Sequence, residues 1–160
     1  MVGSQMGRIW LLAPWLIIAC GLPLILWWSF EPAPVTIDYV APAFLSQPAK
    51  SREEASRYYL SEARGGTTVW RYVEYTVHRA YEGTAHRAWV GEALVWHAPN
   101  LPTQFSRVPG SGAISIAVPV PQSSPTRDFV FVQRMEISNP LRTMQIEYPP
   151  LPLRILDSKG

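Results

Sequence analysis

The stretch TTVWRYVEYTVHRAY, residues 67–81, carries the strongest strand pattern of the sequence. Apolar side chains recur in it at every second position, and they are Val69, Val73, Tyr75 and Val77. A repeat of two is that of a β-strand, because successive side chains point to opposite faces of a sheet. Arg71 and Arg79 interrupt the row near its ends. The pattern predicts a long strand that turns one face to a core.

Further strand patterns lie on both sides of this stretch. Alternating or β-rich segments, separated by turn signals, occupy residues 35–40, 85–99, 113–121, 128–138, 143–148 and 149–156. The Gly-containing turn at 82–84 predicts a hairpin between 67–81 and 85–99, and the last segment is predicted as an extended edge. About seven short strands of this kind are typical of an antiparallel sandwich of immunoglobulin or fibronectin type. The predicted fold class is therefore all-β.

Residues 51–66, SREEASRYYLSEARGG, break the strand pattern. Ser51 and Glu54 have the spacing of a capping box at a helix start. Gly65 and Gly66 supply a stop signal. The segment predicts about three turns of helix that cover part of one sheet edge or face.

Residues 9–30, IWLLAPWLIIACGLPLILWWSF, hold no charged side chain. As a helix this segment would extend about 33 Å, close to the ~30 Å thickness of the hydrocarbon core of a bilayer. Trp10 and Trp15 lie towards one end, and Trp27 and Trp28 lie at the other. Tryptophan prefers the membrane–water boundary. The segment therefore predicts a retained transmembrane helix that contacts membrane lipid.

Two alternatives to a retained anchor exist. The tetrapeptide IIAC ends at the chain's single cysteine, Cys20, and resembles a bacterial lipobox, which would make the protein a lipoprotein anchored through Cys20. A cleaved secretory signal normally has an apolar region of only about 7–15 residues. The apolar run after Cys20 favours the retained anchor, because a lipoprotein usually continues into a polar tether.

Charges on the two flanks predict the orientation. Arg8 and the amino terminus precede the apolar segment, whereas Glu31 and Asp38 follow it. The positive-inside rule then predicts a single-pass protein of the bacterial inner membrane with its C-terminal domain in the periplasm. The predicted organisation is a cytoplasmic N-terminus (1–8), a transmembrane helix (9–30), a spacer (31–34), a β-sandwich domain (35–156) and a C-terminal tail (157–160).

Composition excludes several function classes. The chain has 14 basic and 12 acidic residues and a net charge of +2, without the clustered basic face that nucleic acid requires. Its sequence contains none of the motifs G-x-S-x-G, H-E-x-x-H, C-x-x-C or G-x-x-x-x-G-K. We therefore expect a protein that is not an enzyme, with no cofactor, no small-molecule substrate and no catalytic residues.

Two histidines flank the predicted hairpin turn, and they raise the question of a metal site. His78 and His86 would face each other there, with Glu74 or Glu82 nearby. A closed zinc site needs four ligands, so two histidines are insufficient. We expect no metal.

Aromatic residues are the best candidates for a binding surface. The candidates are Tyr58, Tyr59, Trp70, Tyr72, Trp89 and Trp96. Some of them must belong to the core, and an exposed remainder would mark a surface for a protein partner.

The chain resembles a group of small single-span membrane proteins encoded by bacteriophages and prophages, which carry an immunoglobulin-like outer domain. RYVEYTVHR (71–79), NPLR (139–142) and PPLPLRI (149–155) carry the resemblance, and the helical segment at 51–66 departs from it. It implies a location and a host context rather than an activity. Our expectation is a non-enzymatic membrane protein that presents a periplasmic β-sandwich for protein–protein interaction, with a role in lysis, exclusion or the host envelope. The alternative is a structural virion component, with the apolar segment packed against other proteins or a lipid layer.

Overall fold

A computed structural model describes residues 6–30, 32–81, 84–88, 95–96, 105–139 and 142–159. The chain divides into two compact units, Met1–Ala33 and Pro34–Gly160. The first unit contains helix α1, Met6–Ser29. Exposed apolar side chains of α1 are Trp15, Ile17, Ile18, Leu22, Leu24, Ile25, Leu26 and Trp27.

Cys20 is an exposed free thiol of α1. The side chains of Trp10 and Trp28 lie outside the described residues. Among the residues that the structure describes, no helix combines the length and the apolarity that a bilayer crossing requires.

The second unit consists mainly of β-strands. They are β1 (Val35–Val40), β2 (Phe44–Leu45), β3 (Tyr59–Leu60), β4 (Glu62–Arg64), β5 (Thr68–Val77), β6 (Thr84–Ala88), β7 (Val95–Trp96), β8 (Gly110–Pro119), β9 (Arg127–Phe131), β10 (Gln133–Asn139), β11 (Arg142–Glu147) and β12 (Leu151–Leu156). Its short helix α2 is Arg52–Arg57. Most of the strand pairs are antiparallel, which confirms the all-β class.

β5 is the centre of the largest sheet, called here the β5 sheet. β8 pairs with β5 over ten residues, from Thr68 opposite Pro119 to Val77 opposite Gly110. On its other side β5 pairs with β1 and, at Trp70, with β2, which in turn pairs with β3. The other sheets run in the orders β11-β10-β6 and β4-β12-β9-β7, and the latter contains two parallel pairs, β4–β12 and β9–β7.

The core lies on the face of β5 that the sequence repeat predicts. Buried there are Val69, Val73, Tyr75 and Val77, together with residues of β8, β10 and β12 such as Ile116, Val118, Met135, Ile137, Leu153 and Ile155. The predicted apolar row is thus confirmed. Arg71 does not interrupt the buried row, because its side chain is fully buried on the same face of β5.

Arg71 connects β5 to the segment after β11. Its Nη2 donates to the carbonyl oxygen of Pro149. Its guanidinium carbon lies 5.7 Å from the ring centre of Phe131 and 5.3 Å from that of Tyr148. Burial lowers the pKa of Arg71 to about 10, because it disfavours the charged form.

The predicted hairpin between 67–81 and 85–99 is wrong. Within the described residues β6 pairs with β10, whereas β5 pairs with β8. A Gly-containing turn is only a local signal, and it cannot specify which distant strand offers the better-matched face.

The helix predicted at 51–66 is correct at its start and wrong in its length. Ser51 Oγ accepts from the backbone N–H of Glu54 at 3.2 Å, as a capping box predicts, and Glu54 Oε2 accepts from Lys50 N–H at 2.7 Å. Beyond α2 the chain instead forms β3 and β4, which pair with β2 and β12. Strand pairing with distant residues satisfies the backbone groups that the longer helix would have paired locally.

The last predicted strands are also rearranged. Residues 128–138 form two strands, β9 and β10, which belong to different sheets. β12 is not an edge strand, because it lies between β4 and β9. The predicted pairing of 143–148 with the preceding strand is confirmed by the β10–β11 ladder.

Gly112 of β8 lies against the ring of Tyr75, and this contact leads to a first prediction. A Cβ at position 112 would lie 2.6 Å from Cζ of Tyr75. The ring has little freedom to move, because it packs at a tilt against Phe105 with ring centres 4.2 Å apart, and the Tyr75 hydroxyl accepts from Ser106 N–H at 2.9 Å. We expect Gly112→Ala to lower the free energy of unfolding by about 1–3 kcal/mol in urea denaturation.

The matched control for Gly112→Ala is the same substitution in a Tyr75→Leu background. With the ring removed, alanine should cost clearly less there. An equal loss in both backgrounds would show that the contact with the ring is not the cause.

Candidate functional site

The outer face of the β5 sheet, opposite the core, gathers most of the described aromatic candidates. Tyr58 and Trp70 are half-buried, and Tyr59 is 39% exposed. Tyr72 is only 1% exposed and packs in a second apolar cluster with Ala41, Leu45, Ala49 and Ala55. Tyr72 therefore supports the surface rather than forming it. Trp89 and the side chain of Trp96 lie outside the described residues.

Arg52 of α2 is held over this face by an aromatic ring and a carboxylate. Its guanidinium carbon lies 4.2 Å from the ring centre of Tyr39. Its Nε and Nη2 donate to Glu74 Oε2 at 2.9 and 2.5 Å. Tyr72 OH donates to the other oxygen, Oε1, at 2.9 Å. Both oxygens of Glu74 are thus engaged, and the orientation of Arg52 is set by two independent contacts.

Tyr59 extends this arrangement towards solvent. The hydroxyl groups of Tyr39 and Tyr59 lie 3.3 Å apart. Tyr39 also packs edge-on against Tyr72, with ring centres 6.3 Å apart. We call the four residues Tyr39, Arg52, Tyr59 and Glu74 the Arg52 patch.

The charges of the Arg52 patch are well defined at neutral pH. Hydrogen bonding to Arg52 lowers the pKa of Glu74, so its carboxylate stays ionised. The hydrogen bond with Tyr39 raises the pKa of Tyr59 to about 12, and burial does the same for Tyr72. Both phenols are therefore neutral donors or acceptors beside one fixed ion pair.

A β-bulge in β1 explains how Tyr39 reaches this face. The register with β5 shifts between Ile37 and Tyr39. Ile37 and Val40 pack on the core, whereas Asp38 and Tyr39 both contact residues of the outer face. A bulge places two consecutive side chains on one side of a sheet. Strict alternation would have turned Tyr39 to the core.

Beside the patch, five polar side chains form one hydrogen-bonded chain. Asp38 accepts from Thr36 at 3.3 Å and from Thr76 at 2.5 Å. Because a carboxylate only accepts, both threonine protons point to it. Thr36 Oγ1 is also hydrogen-bonded to His78 Nε2 at 2.9 Å, and Thr76 Oγ1 to Ser111 Oγ at 3.1 Å.

This chain does not have the order of a catalytic triad. In a triad the histidine lies between the nucleophile and the carboxylate. Here Thr36 lies between His78 and Asp38. The carboxylate therefore cannot orient the imidazole for proton abstraction from Thr36.

A shallow groove of about 370 Å³ separates the Arg52 patch from β8. Its lining residues are Asp38, Arg52, Glu74, Tyr75, Ser111, Gly112 and Ala113. In the part of the chain that the structure describes, no three His, Cys, Asp or Glu side chains converge as metal ligands. His78 bonds to Thr36, and the side chains of Glu82 and His86 lie outside that part.

Comparison with known proteins identifies no family for this chain. No protein family matches the sequence, and no curated protein matches it either. The fold and the surface define the class only as an all-β domain with an exposed patch of aromatic and charged side chains.

Local sequence patterns did not predict Tyr39, Arg52 and Glu74 as members of a binding surface. Arg52 and Glu74 are 22 positions apart, and their contact depends on α2 packing over β5. The capping box at Ser51 was the one local signal, since it places Arg52 at the first position of a helix. It does not predict which strand that helix covers.

The ion pair of the Arg52 patch gives a second prediction. We expect Glu74→Gln to lower the free energy of unfolding at neutral pH by only about 0.2–1 kcal/mol, because the side chains of Arg52 and Glu74 are both partly exposed. Because the pKa of Glu74 is lowered in the folded state, its contribution is present above its ordinary range and is lost on acidification. Urea denaturation at neutral pH and at low pH should therefore show convergence of variant and wild type in acid. A constant difference between them would contradict this assignment.

Proposed function

We propose that the protein is a non-enzymatic, single-pass membrane protein whose β domain binds a protein partner in the periplasm through the Arg52 patch. The carrying observation is the pre-organised Arg52, which lies 4.2 Å from the ring centre of Tyr39 and is paired with Glu74. Arginine and tyrosine are over-represented among residues that dominate binding energy at protein interfaces.

The geometry of the patch reduces the cost of binding. A free arginine side chain loses rotamer entropy when a partner immobilises it, at about 0.5–1.5 kcal/mol. Arg52 is already ordered by Glu74 and Tyr39. Tyr59 adds an exposed ring with few rotatable bonds beside it. A partner that offers a carboxylate or carbonyl to Arg52 and an apolar contact to Tyr59 fits this surface.

The anchor belongs to the proposal too. The uncharged segment 9–30 supports it, as do the exposed apolar side chains of α1, such as Ile17 and Leu24. A helix with such side chains around its surface needs an apolar environment to cover them. For the β domain, we propose an immunoglobulin-like sandwich, supported by the shared core of the β5 sheet with β9, β10 and β12. The phage context rests on the resemblance at 71–79, 139–142 and 149–155.

Fractionation of cells that express the full chain tests the anchor. We expect the protein in the membrane fraction after an alkaline carbonate wash, and we expect Cys20→Ala to behave in the same way. Loss of membrane association in Cys20→Ala, or palmitate labelling of wild type, would assign the protein to the lipoproteins instead. A chain that stays in the supernatant with an intact N-terminus would refute both forms of attachment.

Photocrosslinking tests the recognition surface. A photoreactive phenylalanine in place of Tyr59 should yield a defined crosslinked product in host cells. The same residue in place of the exposed Gln122 serves as the control. We expect the product to disappear when Arg52→Ala is added to the Tyr59 variant. Equal products from both positions, or no effect of Arg52→Ala, would refute the proposed surface.

A further inference from the structure

The groove beside the Arg52 patch has a negative net charge. Its lining residues include two carboxylates, Asp38 and Glu74, and one guanidinium, that of Arg52. Arg52 and Glu74 form an ion pair at 2.5 Å and compensate each other. The charge that remains in the groove is therefore that of Asp38.

Asp38 is exposed, and its carboxylate is held in a fixed orientation. Thr36 donates to its Oδ1 at 3.3 Å, and Thr76 donates to its Oδ2 at 2.5 Å. Both donors are neutral hydroxyl groups, so they orient the carboxylate without compensating its charge. None of the ion pairs in the described part of the chain includes Asp38.

The charge of Asp38 acts inside the groove. Hydrogen bonding to Arg52 lowers the pKa of Glu74, and repulsion from Asp38 acts in the opposite direction. A cation that lies beside both carboxylates relieves this repulsion. A cleft with an excess of one charge also concentrates ligands of the opposite charge. The electrostatics of the groove therefore favour a positively charged ligand.

The wall of the groove opposite the carboxylates suits the stem of a long side chain. It consists of Ser111, Gly112 and Ala113 of β8, and the groove has a volume of about 370 Å³. Ser111 and Ala113 are exposed. Lysine and arginine lay their apolar stems along such a surface and keep their charged tips in polar surroundings. The groove thus offers a small apolar contact and an oriented carboxylate together.

We propose that this groove binds a basic side chain, lysine or arginine, of the protein partner, and that Asp38 pairs with its charged tip. The inference rests on the proposed function, because Arg52 and Glu74 belong to both the patch and the groove. One partner segment contacts both sites. It carries a carboxylate or carbonyl group for Arg52 and, close to it, a basic residue for Asp38. Adjacent contacts of opposite sign fix the register of the segment and disfavour partners with only one kind of charge.

Selection from a random peptide library, displayed on filamentous phage, tests the preference for a basic residue. The full chain in mild detergent serves as the target. We expect wild type to select peptides enriched in lysine and arginine, and Asp38→Asn to select peptides without this enrichment. Asp128→Asn removes the same charge from an exposed position of β9 and should keep the enrichment. Arg52→Ala identifies the selected peptides that bind the Arg52 patch, because those peptides should no longer bind.

A double-mutant cycle on one selected peptide measures the proposed ion pair by calorimetry. Replacing the basic residue of the peptide with norleucine should lower the affinity about two- to fivefold, as expected for an exposed ion pair. Asp38→Asn should have an effect of the same size, and the two changes together should lower the affinity no further. The norleucine peptide leaves the protein unchanged, so its result does not depend on how well the variant folds.

The outcomes separate this inference from the proposed function. Peptides that depend on Arg52 but carry no excess of basic residues would overturn the inference and leave the proposed function intact. The same holds if the effects of norleucine and Asp38→Asn are fully additive. If no selected peptide depends on Arg52, the proposed function is wrong, and the inference is wrong with it.

Discussion

Replacing Phe131 with alanine is expected to lower the free energy of unfolding by about 3–5 kcal/mol. Phe131 is fully buried at the end of β9 and contacts Phe44, with ring centres 5.7 Å apart. Its ring also lies 5.7 Å from the guanidinium carbon of Arg71. The substitution removes apolar surface from the core and leaves a cavity beside a buried charge, and both effects destabilise the fold. Urea denaturation followed by circular dichroism measures the loss.

Phe129 provides the matched control for Phe131. It lies two positions earlier in β9, points to the same face and is half-buried rather than buried. Phe129→Ala should therefore cost clearly less than Phe131→Ala, since less apolar area is withdrawn from water at that position. Equal losses of stability at the two positions would contradict the deeper burial of Phe131.

Tyr148→Phe is expected to make the protein more resistant to alkaline unfolding. Burial raises the pKa of Tyr148 far above the ordinary tyrosine value of about 10. The folded chain then keeps a proton that the unfolded chain loses, so stability is fully present below about pH 10 and is lost as the pH rises. The loss is about 1.4 kcal/mol for each pH unit above 10. Phenylalanine has no proton to lose and removes this dependence.

Arg71 acts in the opposite direction in the same pH range. Its pKa is lowered to about 10 in the folded state, so above this pH the folded chain releases a proton that the unfolded chain retains. Stability gains from Arg71 as the pH rises further. Arg71→Met should therefore make the decline above pH 10 steeper, whereas Tyr148→Phe should make it shallower.

Thermal unfolding of wild type and both variants between pH 8 and about pH 11 tests this pair. At pH 8 Tyr148→Phe should differ little from wild type, because within the described ranges the hydroxyl makes a single long contact, 3.9 Å to the sulfur of Met135. The differences in stability among the three proteins should become larger above about pH 10. Parallel curves over the whole range would show that neither group is linked to folding.

The features that could be predicted from the sequence are those that depend on neighbouring residues. The repeat of two in 67–81 predicts β5 and its buried row, because the alternation of a strand is a property of the local backbone. Ser51 and Glu54 predict the start of α2, because a capping box is closed within four residues. The all-β class follows from such local signals alone.

The features that could not be predicted depend on residues far apart in the chain. Which strand lies beside β5 is decided by the fit of a distant face, so the hairpin signal at 82–84 led to the wrong partner. The bulge at Asp38 is likewise invisible in an alternating sequence, although it brings Tyr39 to the outer face. The Arg52 patch needs both the bulge and the packing of α2.

Local sequence patterns were sufficient to predict short strands, a buried row on β5, a helix start at Ser51 and an uncharged segment before the β domain. They were sufficient because periodicity and capping are local properties. Tertiary packing was needed to bury Arg71 and to place Arg52 over Tyr39. Both features depend on which distant surfaces of the chain pack together. No single segment of the sequence determines the pairing energy between distant strands.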